Sequence, residues 1–249
     1  MNTKNHFLQT HNPEFHKTVL IREVLEYLDP QPGKVYVDAT FGGGGHTRAI
    51  LTHEPNCKVI AFDWDENAIE CTGNALLEEF GDRLDIIWSN FTQMPKMFKK
   101  YGYDKVDGIL VDFGTSQFQI KERQGFSFAQ DTALDMRMSP PHFKTTAADI
   151  VNYASEKELV AIFQDFGEER YARTIARAIV QERQKELFTT TGQLVALIKS
   201  VVPLKKGPGI HPATRVFQAL RIVVNKELDN IKTFLHHVPQ VLEVGGRLV

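Results

Sequence analysis

Four consecutive glycines at residues 42–45 constrain this chain more than any other feature of its 249 residues. A glycine loses much backbone freedom on folding, so such a run is expected where backbone passes close to a ligand or takes positive φ. An apolar run at 35–37 and Asp38 precede the glycines, and a helical stretch follows from His46. This order predicts a nucleotide-binding crossover, with N–H groups at the helix start facing the ligand. The alternative is a tight turn that binds nothing.

Two cofactors suit such a crossover, and the residues around the glycines distinguish them. Gly42 and Gly44 fit the first two positions of the dinucleotide pattern G-x-G-x-x-G, but the third position falls on Thr47, so the match is partial. Asp38, just before the turn, would repel a pyrophosphate and suits a ligand with cationic groups and hydroxyls. The sequence therefore favours S-adenosylmethionine as the cofactor and leaves an NAD-dependent oxidoreductase as the alternative.

Composition and charge limit the class of protein. Hydrophobic residues make up 42% of the chain and charged residues 24%, as in soluble globular proteins, and the net charge is −2. Any basic surface for nucleic acid must therefore be local. The sequence contains no run of 18 apolar residues that could span a membrane. We expect a cytoplasmic protein. The chain has no C-x-x-C or H-E-x-x-H pattern, so we predict no metal site.

Hydrophobic patterning predicts the fold of the first half. Short apolar, β-branched runs alternate with helical stretches, which is typical of buried parallel strands joined by crossover helices. The fold class is therefore α/β, with a Rossmann-like, doubly wound parallel sheet. The predicted strands are residues 35–39, 58–63, 84–88 and 108–112, and the predicted helices are residues 20–28, 46–52, 66–80 and 94–101.

The alternation of strand and helix stops after Asp112. Residues 114–145 contain the glycines and prolines of a loop, and helical patterns follow at residues 159–166, 168–186 and 191–202. We therefore predict an all-helical insertion at 116–209, which divides the α/β core into 1–115 and 210–249. After Pro212 the pattern predicts one long helix with the apolar face Phe217, Leu220, Val224, Leu228, Ile231 and Leu235.

Three side chains at predicted strand ends are candidate ligands. Asp63 ends the second strand, where an acid hydrogen-bonds ribose hydroxyls, and a helix N-cap is the alternative role. Phe91 follows the third strand, where it either stacks on adenine or packs in the core. Asp112 ends the fourth strand and should face the same crevice, where it would contact the cofactor or orient the acceptor. A loop-capping acid is the alternative for Asp112.

Three arginines of the predicted insertion share one helix face. Arg170, Arg173 and Arg177 are spaced i, i+3 and i+7. The opposite face is apolar and consists of Ala172, Ile175, Ala176, Ile179 and Val180. A line of arginines can track phosphates, but the pattern alone favours a solvated face paired with neighbouring glutamates.

Motifs occur along nearly the whole chain. In order they include His16-x-x-Val19-Leu20, Asp38-x-Thr40-Phe41-Gly42-x-Gly44-Gly45-His46, Asp63-x-Asp65, Asp112-x-Gly114, Gly125-Phe126-Ser127-Phe128, Asp135-Met136-Arg137-Met138 and His211-Pro212-Ala213-Thr214-Arg215-x-Phe217-Gln218-Ala219-Leu220-Arg221-Ile222. With Asn225-x-Glu227-Leu228 after it, the last is very specific. This set resembles the bacterial small-subunit (16S) rRNA cytosine-N(4) methyltransferases of the MraW/RsmH type.

The resemblance implies a class I S-adenosylmethionine methyltransferase with an inserted helical domain that recognises the substrate. It implies cofactor contacts at Gly44, Gly45, His46, Asp63, Phe91, Asp112 and Gln119. The implied acceptor is the exocyclic amine of a cytidine near the decoding centre, so the expected partner is the small ribosomal subunit. Asp112 is the candidate catalytic residue, because a carboxylate can accept a hydrogen bond and then a proton from that amine. Arg170, Arg173 and Arg177 are the candidate RNA contacts.

The chain departs from the family pattern in three places. The residues after Asp112-x-Gly114 differ around Gln119, and Trp64 and Glu66 replace the usual Arg and Pro. The predicted fifth strand begins at Arg247, two residues before the last residue, and the family's following Phe-His-Ser-Leu-Glu-Asp segment is absent. We therefore expect a C-terminally truncated chain with part of its last helix exposed and little or no activity. A non-catalytic RNA- or ribosome-binding remnant of the family is a further alternative.

Overall fold

A parallel β-sheet forms the centre of the α/β part of the protein. The computed structural model describes residues 18–115, 124–203 and 210–249. Within these ranges five strands pair in the order β3-β2-β1-β4-β5, and every neighbouring pair is parallel. They are β1 (Val35–Asp38), β2 (Lys58–Asp63), β3 (Leu84–Trp88), β4 (Val106–Leu110) and β5 (Leu242–Leu248). The strand order reverses between β1 and β4, which is where an open α/β sheet has its ligand crevice.

Helices cover both faces of this sheet. One cluster of buried residues, around Leu28, Ile50 and Leu84, lies between the sheet and the first three helices. A second cluster, around Phe98 and Phe234, lies on the other face. The doubly wound arrangement predicted from the sequence is therefore confirmed. The covering helices are α1 (Ile21–Leu28), α2 (Gly45–His53), α3 (Glu66–Phe80), α4 (Met94–Tyr101) and, near the C-terminus, α10 (Glu227–Val241).

The middle of the chain is helical, as predicted. Its described helices are α5 (Ala147–Tyr153), α6 (Glu156–Asp165), α7 (Ala172–Glu182), α8 (Thr191–Val201) and α9 (Thr214–Val224). The predicted capping box at the start of α6 is present: the Ser155 hydroxyl accepts from the Glu158 N–H, and the Glu158 carboxylate accepts from the Ser155 N–H. The sequence did not predict α5, a seven-residue helix with a capping box between Thr146 and Asp149. It is too short for a clear apolar period.

The helical part has its own hydrophobic core. Leu134 and Phe163 lie in this core beside residues of α7 and α8. The buried residues of α9 also belong to it, including Phe217 and Leu220. By packing, therefore, the helical part extends to about Val224, beyond the boundary at residue 210 that the sequence suggested.

The prediction of a single long helix after Pro212 is wrong. The chain turns between α9 and α10, where Lys226 takes a left-handed φ of 51°. The two helices consequently bury different faces. Val224 joins the helical core, whereas α10 packs on the sheet through Phe234, Val238 and Val241. The side chains of Leu228 and Leu235, expected on one apolar face with Val224, are 43% and 50% exposed.

The fifth strand is longer than predicted. It begins at Leu242 instead of Arg247 and pairs with β4 through Val106–Leu242, Gly108–Arg247 and Ile109–Leu248, with a register shift between the first two pairs. The start of this strand was not predicted, because Glu243, Gly245 and Gly246 interrupt the apolar run.

Candidate functional site

A cleft opens where β1, β2 and β4 end. The glycine loop after β1, Asp63 and Trp64 after β2, Phe91 after β3 and Asp112 after β4 all line it. Parallel strands present their carboxyl ends at one edge of the sheet, so residues far apart in sequence meet there. The sequence predicted that Asp112 would face the same crevice as Gly44 and Asp63. Asp63 and Asp112 do line one cleft, and Phe91 lines it as well.

The glycine loop needs glycine at two positions. Gly42 has φ 51° and Gly44 has φ 72°, in the left-handed region that other residues rarely adopt. A Cβ on Gly44 would lie 2.7 Å from Leu76 Cδ1 and 3.0 Å from the Phe41 ring. Gly44 is buried and does not line the cleft, whereas Gly42, Gly43 and Gly45 do. Gly44 therefore shapes the turn from behind while its neighbours face the ligand space.

Gly45 and His46, at the start of α2, also line the cleft. A Cβ on Gly45 would overlap the Thr18 hydroxyl, so Thr18 lies directly against the loop. His46 is held by a 3.0 Å hydrogen bond between its Nε2 and the carbonyl oxygen of Val19. Both predicted cofactor contacts thus lie beside Thr18 and Val19, and Thr18 itself lines the cleft.

Asp63 ties β2 to the glycine loop. Its Oδ2 accepts a 2.7 Å hydrogen bond from the Gly42 N–H, and its Oδ1 accepts one of 2.8 Å from the Asp65 N–H. Burial raises the pKa of the Asp63 carboxyl to about 6, in spite of these two hydrogen bonds. A carboxylate has about four acceptor positions, so both oxygens keep capacity for hydroxyl donors from a ligand.

Asp38 does not line the cleft, contrary to the direct ligand contact that the sequence suggested. It is fully buried, and its Oδ2 accepts a 2.7 Å hydrogen bond from the Thr47 hydroxyl. Its Oδ1 accepts one of 3.1 Å from the Thr40 N–H. Burial raises the pKa of Asp38, although the Thr47 hydroxyl opposes this rise. Thr47, the residue that departs from the dinucleotide pattern, therefore anchors α2 to the end of β1.

Asp112 lies exposed at the cleft, in the loop after β4. Its backbone N–H donates a 2.8 Å hydrogen bond to the Thr40 hydroxyl, which joins the loops after β1 and β4 across the point where strand order reverses. Asp112 is exposed, whereas Asp38 is fully buried. Asp112 is thus accessible to a ligand.

Phe91 belongs to a cluster of three aromatic rings. Its ring centroid lies 5.7 Å from that of Phe113 and 5.4 Å from that of Phe234, both in edge contacts. Phe113 and Phe234 are 5.8 Å apart. Phe91 is only partly buried and lines the cleft, so it is both a core residue and a ligand-facing one. The two roles left open by the sequence are compatible.

Sequence reasoning missed a second group of residues that line the cleft. They are Met138 from the helical part and Glu227, Asn230 and Ile231 from the start of α10, and we call them the second wall. Glu227 is held by Arg221 in a two-point ion pair, with Nε–Oε1 at 2.8 Å and Nη2–Oε2 at 3.0 Å. Arg221 Nη1 also donates to the Thr115 hydroxyl at 3.1 Å. The sequence signals for this wall are the motifs at 135–138 and 225–228.

The three candidate RNA-binding arginines are exposed, and the apolar face opposite them is buried, with Val180 partly so. Arg170 precedes α7 instead of lying in it, because the helix begins at Ala172. Arg177 lies 3.8 Å from a carboxylate oxygen of Glu156, and both side chains are largely exposed. Gln119, the remaining predicted cofactor contact, lies outside the described residues.

The cleft is acidic. Asp63, Asp112 and Glu227 line it, and no Lys or Arg does so among the described residues. Glu227 is paired with Arg221, so the negative charge comes chiefly from Asp63 and Asp112. This charge would repel a pyrophosphate and attract a sulfonium or ammonium group. No group of three His, Cys, Asp or Glu side chains suited to a metal ion occurs in the described ranges. None of the helices in those ranges is long and apolar enough to cross a membrane.

Comparison with known proteins decides the family. Residues 13–249 match the model of the MraW methylase family. The chain belongs to this family. It is 48% identical over 235 residues to Ribosomal RNA small subunit methyltransferase H of Carboxydothermus hydrogenoformans, a match that covers 94% of this chain and 75% of that protein. The protein of the same name from Anaplasma marginale is 43% identical over 235 residues, with 94% and 80% covered.

Membership in a methylase family requires a methyl donor, and the cleft fits S-adenosylmethionine. Glycines allow close approach at one side, Asp63 offers acceptors for ribose hydroxyls, and Phe91 offers an aromatic surface for adenine. The acidic lining suits the ligand's two cationic groups. S-adenosylmethionine is therefore the cofactor, and the NAD alternative raised by the glycine pattern is set aside.

Proposed function

We propose that this protein transfers a methyl group from S-adenosylmethionine to the exocyclic amine of a cytidine in small-subunit (16S) ribosomal RNA, near the decoding centre. Family membership and relatives named Ribosomal RNA small subunit methyltransferase H support the choice of substrate. The observation that carries the choice of chemistry is the acidic cleft at the ends of β1, β2 and β4. With a ribosomal substrate, the protein would act in the cytoplasm.

The cofactor supplies an activated methyl group on a sulfonium, and the protein's task is to hold donor and acceptor in line. On this proposal Gly45, His46 and Asp63 hold the nucleoside and amino-acid parts of the cofactor, together with Phe91. Gln119 is a further proposed contact. Gly44 supports the turn from behind.

Asp112 is the proposed catalytic residue. A cytosine amine is a poor nucleophile, because its lone pair is delocalised into the ring. A carboxylate that accepts a hydrogen bond from the amine increases electron density on nitrogen and can later take the proton. Asp112 is exposed, lines the cleft and lies on a loop bonded to Thr40, which supports this role. A ligand role toward the cofactor is its alternative.

The RNA is proposed to bind across the cleft and the helical part. The target base must leave any stack to reach a buried donor, so the cleft receives an extruded or single-stranded nucleotide. Arg170, Arg173 and Arg177 are exposed and would contact phosphates. These contacts position the RNA without reading its sequence.

The test is identification of the product. Small subunits that lack the modification are incubated with the protein and tritiated S-adenosylmethionine, and the rRNA is digested to nucleosides. The proposal predicts label in N(4)-methylcytidine. Label in another methylated nucleoside would overturn the acceptor, and binding of cofactor and subunit without transfer would favour the non-catalytic remnant. The Asp112→Asn variant should bind cofactor and transfer at least tenfold more slowly, because general-base catalysis contributes about 10²–10⁴-fold.

A further inference from the structure

One buried residue, Asn225, organises the part of the cleft lined by Met138 and Asn230. This residue lies in the turn between α9 and α10 and has no exposed surface. Its side-chain Oδ1 accepts a 2.7 Å hydrogen bond from the Met138 N–H, and its Nδ2 donates to the carbonyl oxygens of Met136 at 2.8 Å and Arg221 at 2.9 Å. One side chain thus fixes two segments that are far apart in sequence.

The segment that Asn225 holds has an unfavourable conformation. Met136 has φ 64°, in the left-handed region, which costs a non-glycine residue free energy. Gly125 packs against it so closely that an added Cβ would lie 2.8 Å from the Met136 nitrogen. Two residues later Met138 lines the cleft and is only 3% exposed. The strained turn therefore carries the chain from the helical core to the cleft wall.

The main chain of Asn225 holds a second cleft residue. Its carbonyl oxygen accepts a 3.0 Å hydrogen bond from Asn230 Nδ2. This bond determines the orientation of the Asn230 amide, so that its Oδ1 is the atom left to accept a hydrogen bond. Asn230 also lines the cleft. Asn225 thereby holds the backbone of Met138 and the side chain of Asn230, two residues that line the same cleft.

We propose that Met138 and Asn230 form the subsite for the acceptor base, and that Asn225 is the positioning residue for both. A thioether packs well on the face of a planar aromatic ring. An amide oxygen accepts a hydrogen bond from an exocyclic amine. The two groups together suit a nucleobase with an amino group, and Asp112, which lines the same cleft, would receive the second N–H of that amine. This inference rests on the proposed function, because it specifies how the same cleft selects its acceptor.

The test compares Met138→Ala, Asn230→Ala, the double variant and Asn225→Ala, each in the whole chain. For each we would measure the S-adenosylmethionine dissociation constant, the KM for unmethylated small subunits and the melting temperature. Each cleft variant should raise KM about tenfold, as expected when one favourable interaction with the base is removed, with cofactor affinity within about twofold of wild type. The double variant should raise KM by less than the product of the two single increases, because neighbouring interactions with one base are coupled.

A matched control is Asn152→Ala. Asn152 bridges the main chain of Phe188 in the helical part, donating at 2.8 Å and accepting at 2.9 Å, and it does not line the cleft. Its replacement should lower the melting temperature and leave KM unchanged, whereas Asn225→Ala should change both. Unaltered KM in Met138→Ala and Asn230→Ala, with wild type active, would overturn this inference alone. Absence of transfer by wild type would instead contradict the proposed function.

Discussion

The carboxylate of Asp63 accepts a 2.7 Å hydrogen bond from the backbone N–H of Gly42, which joins the end of β2 to the glycine loop after β1. The sequence separates these residues by 21 positions. One side chain therefore shapes the loop and also faces the ligand space. The role of ribose ligand and the role of structural cap, which the sequence left as alternatives, are compatible with the same two oxygens.

Replacing Asp63 tests this double role. Asp63→Ala should weaken S-adenosylmethionine binding by about 1–3 kcal/mol, because it removes the ribose acceptor and leaves the Gly42 and Asp65 N–H groups unpaired. Titration calorimetry measures the change. The control is Asp82→Ala, an exposed acid in the turn after α3, which should leave affinity unaltered. Equal affinities for Asp63→Ala and wild type would remove Asp63 from the site.

Cofactor binding should depend on pH through Asp63. Burial raises the pKa of its carboxyl to about 6, and the ionised form is the one with full acceptor capacity. As pH falls through about 6 the group takes up a proton, so affinity should be about tenfold weaker at pH 5 than at pH 7. Asp63→Asn cannot titrate and should bind more weakly at pH 7, with a flat profile. The same slope in both proteins would assign the pH dependence to another group.

Gly44 and Gly33 provide a matched pair for the glycine loop. Their φ angles are 72° and 73°, so an alanine is equally strained at both. A Cβ on Gly33 meets nothing within 4 Å, whereas one on Gly44 meets Leu76 and Phe41. Gly44→Ala should therefore lower the free energy of unfolding by about 1–3 kcal/mol more than Gly33→Ala. Equal urea-denaturation curves would show that the loop yields to the extra methyl group.

The arginines beside and on α7 should govern the salt dependence of RNA binding. Replacing Arg170, Arg173 and Arg177 by Ala should weaken binding to small subunits and reduce the slope of log K against log salt by about one unit for each phosphate that is no longer neutralised. The control is a triple variant of α4 in which the exposed Lys96, Lys99 and Lys100 are replaced by Ala. It removes the same number of positive charges. If both triple variants lower the slope equally, the arginines contribute only general charge.

Local pattern predicted much of this fold, and long-range contacts explain the rest. The strand that ends at Asp63 matched because its four inner residues are buried and form a continuous apolar run, as is typical of buried parallel strands. The helix break at Asn225 was not predictable locally, because it depends on hydrogen bonds to Met136 and Met138, 89 and 87 positions away. The same hydrogen bonds build the second wall of the cleft. The sequence therefore indicated the residues of the cleft that follow β1, β2, β3 and β4, and not the lining residues Met138 and Asn230.

The most direct measurement is calorimetric titration of the whole chain with S-adenosylmethionine and, separately, with NAD. The acidic lining formed by Asp63, Asp112 and Glu227, without Lys or Arg among the described lining residues, predicts that S-adenosylmethionine binds at one site and that NAD binds much more weakly. Asp63→Ala should weaken the binding of S-adenosylmethionine. Tighter binding of NAD, or no binding of S-adenosylmethionine by the folded protein, would contradict the assignment of this cleft as the methyl-donor site.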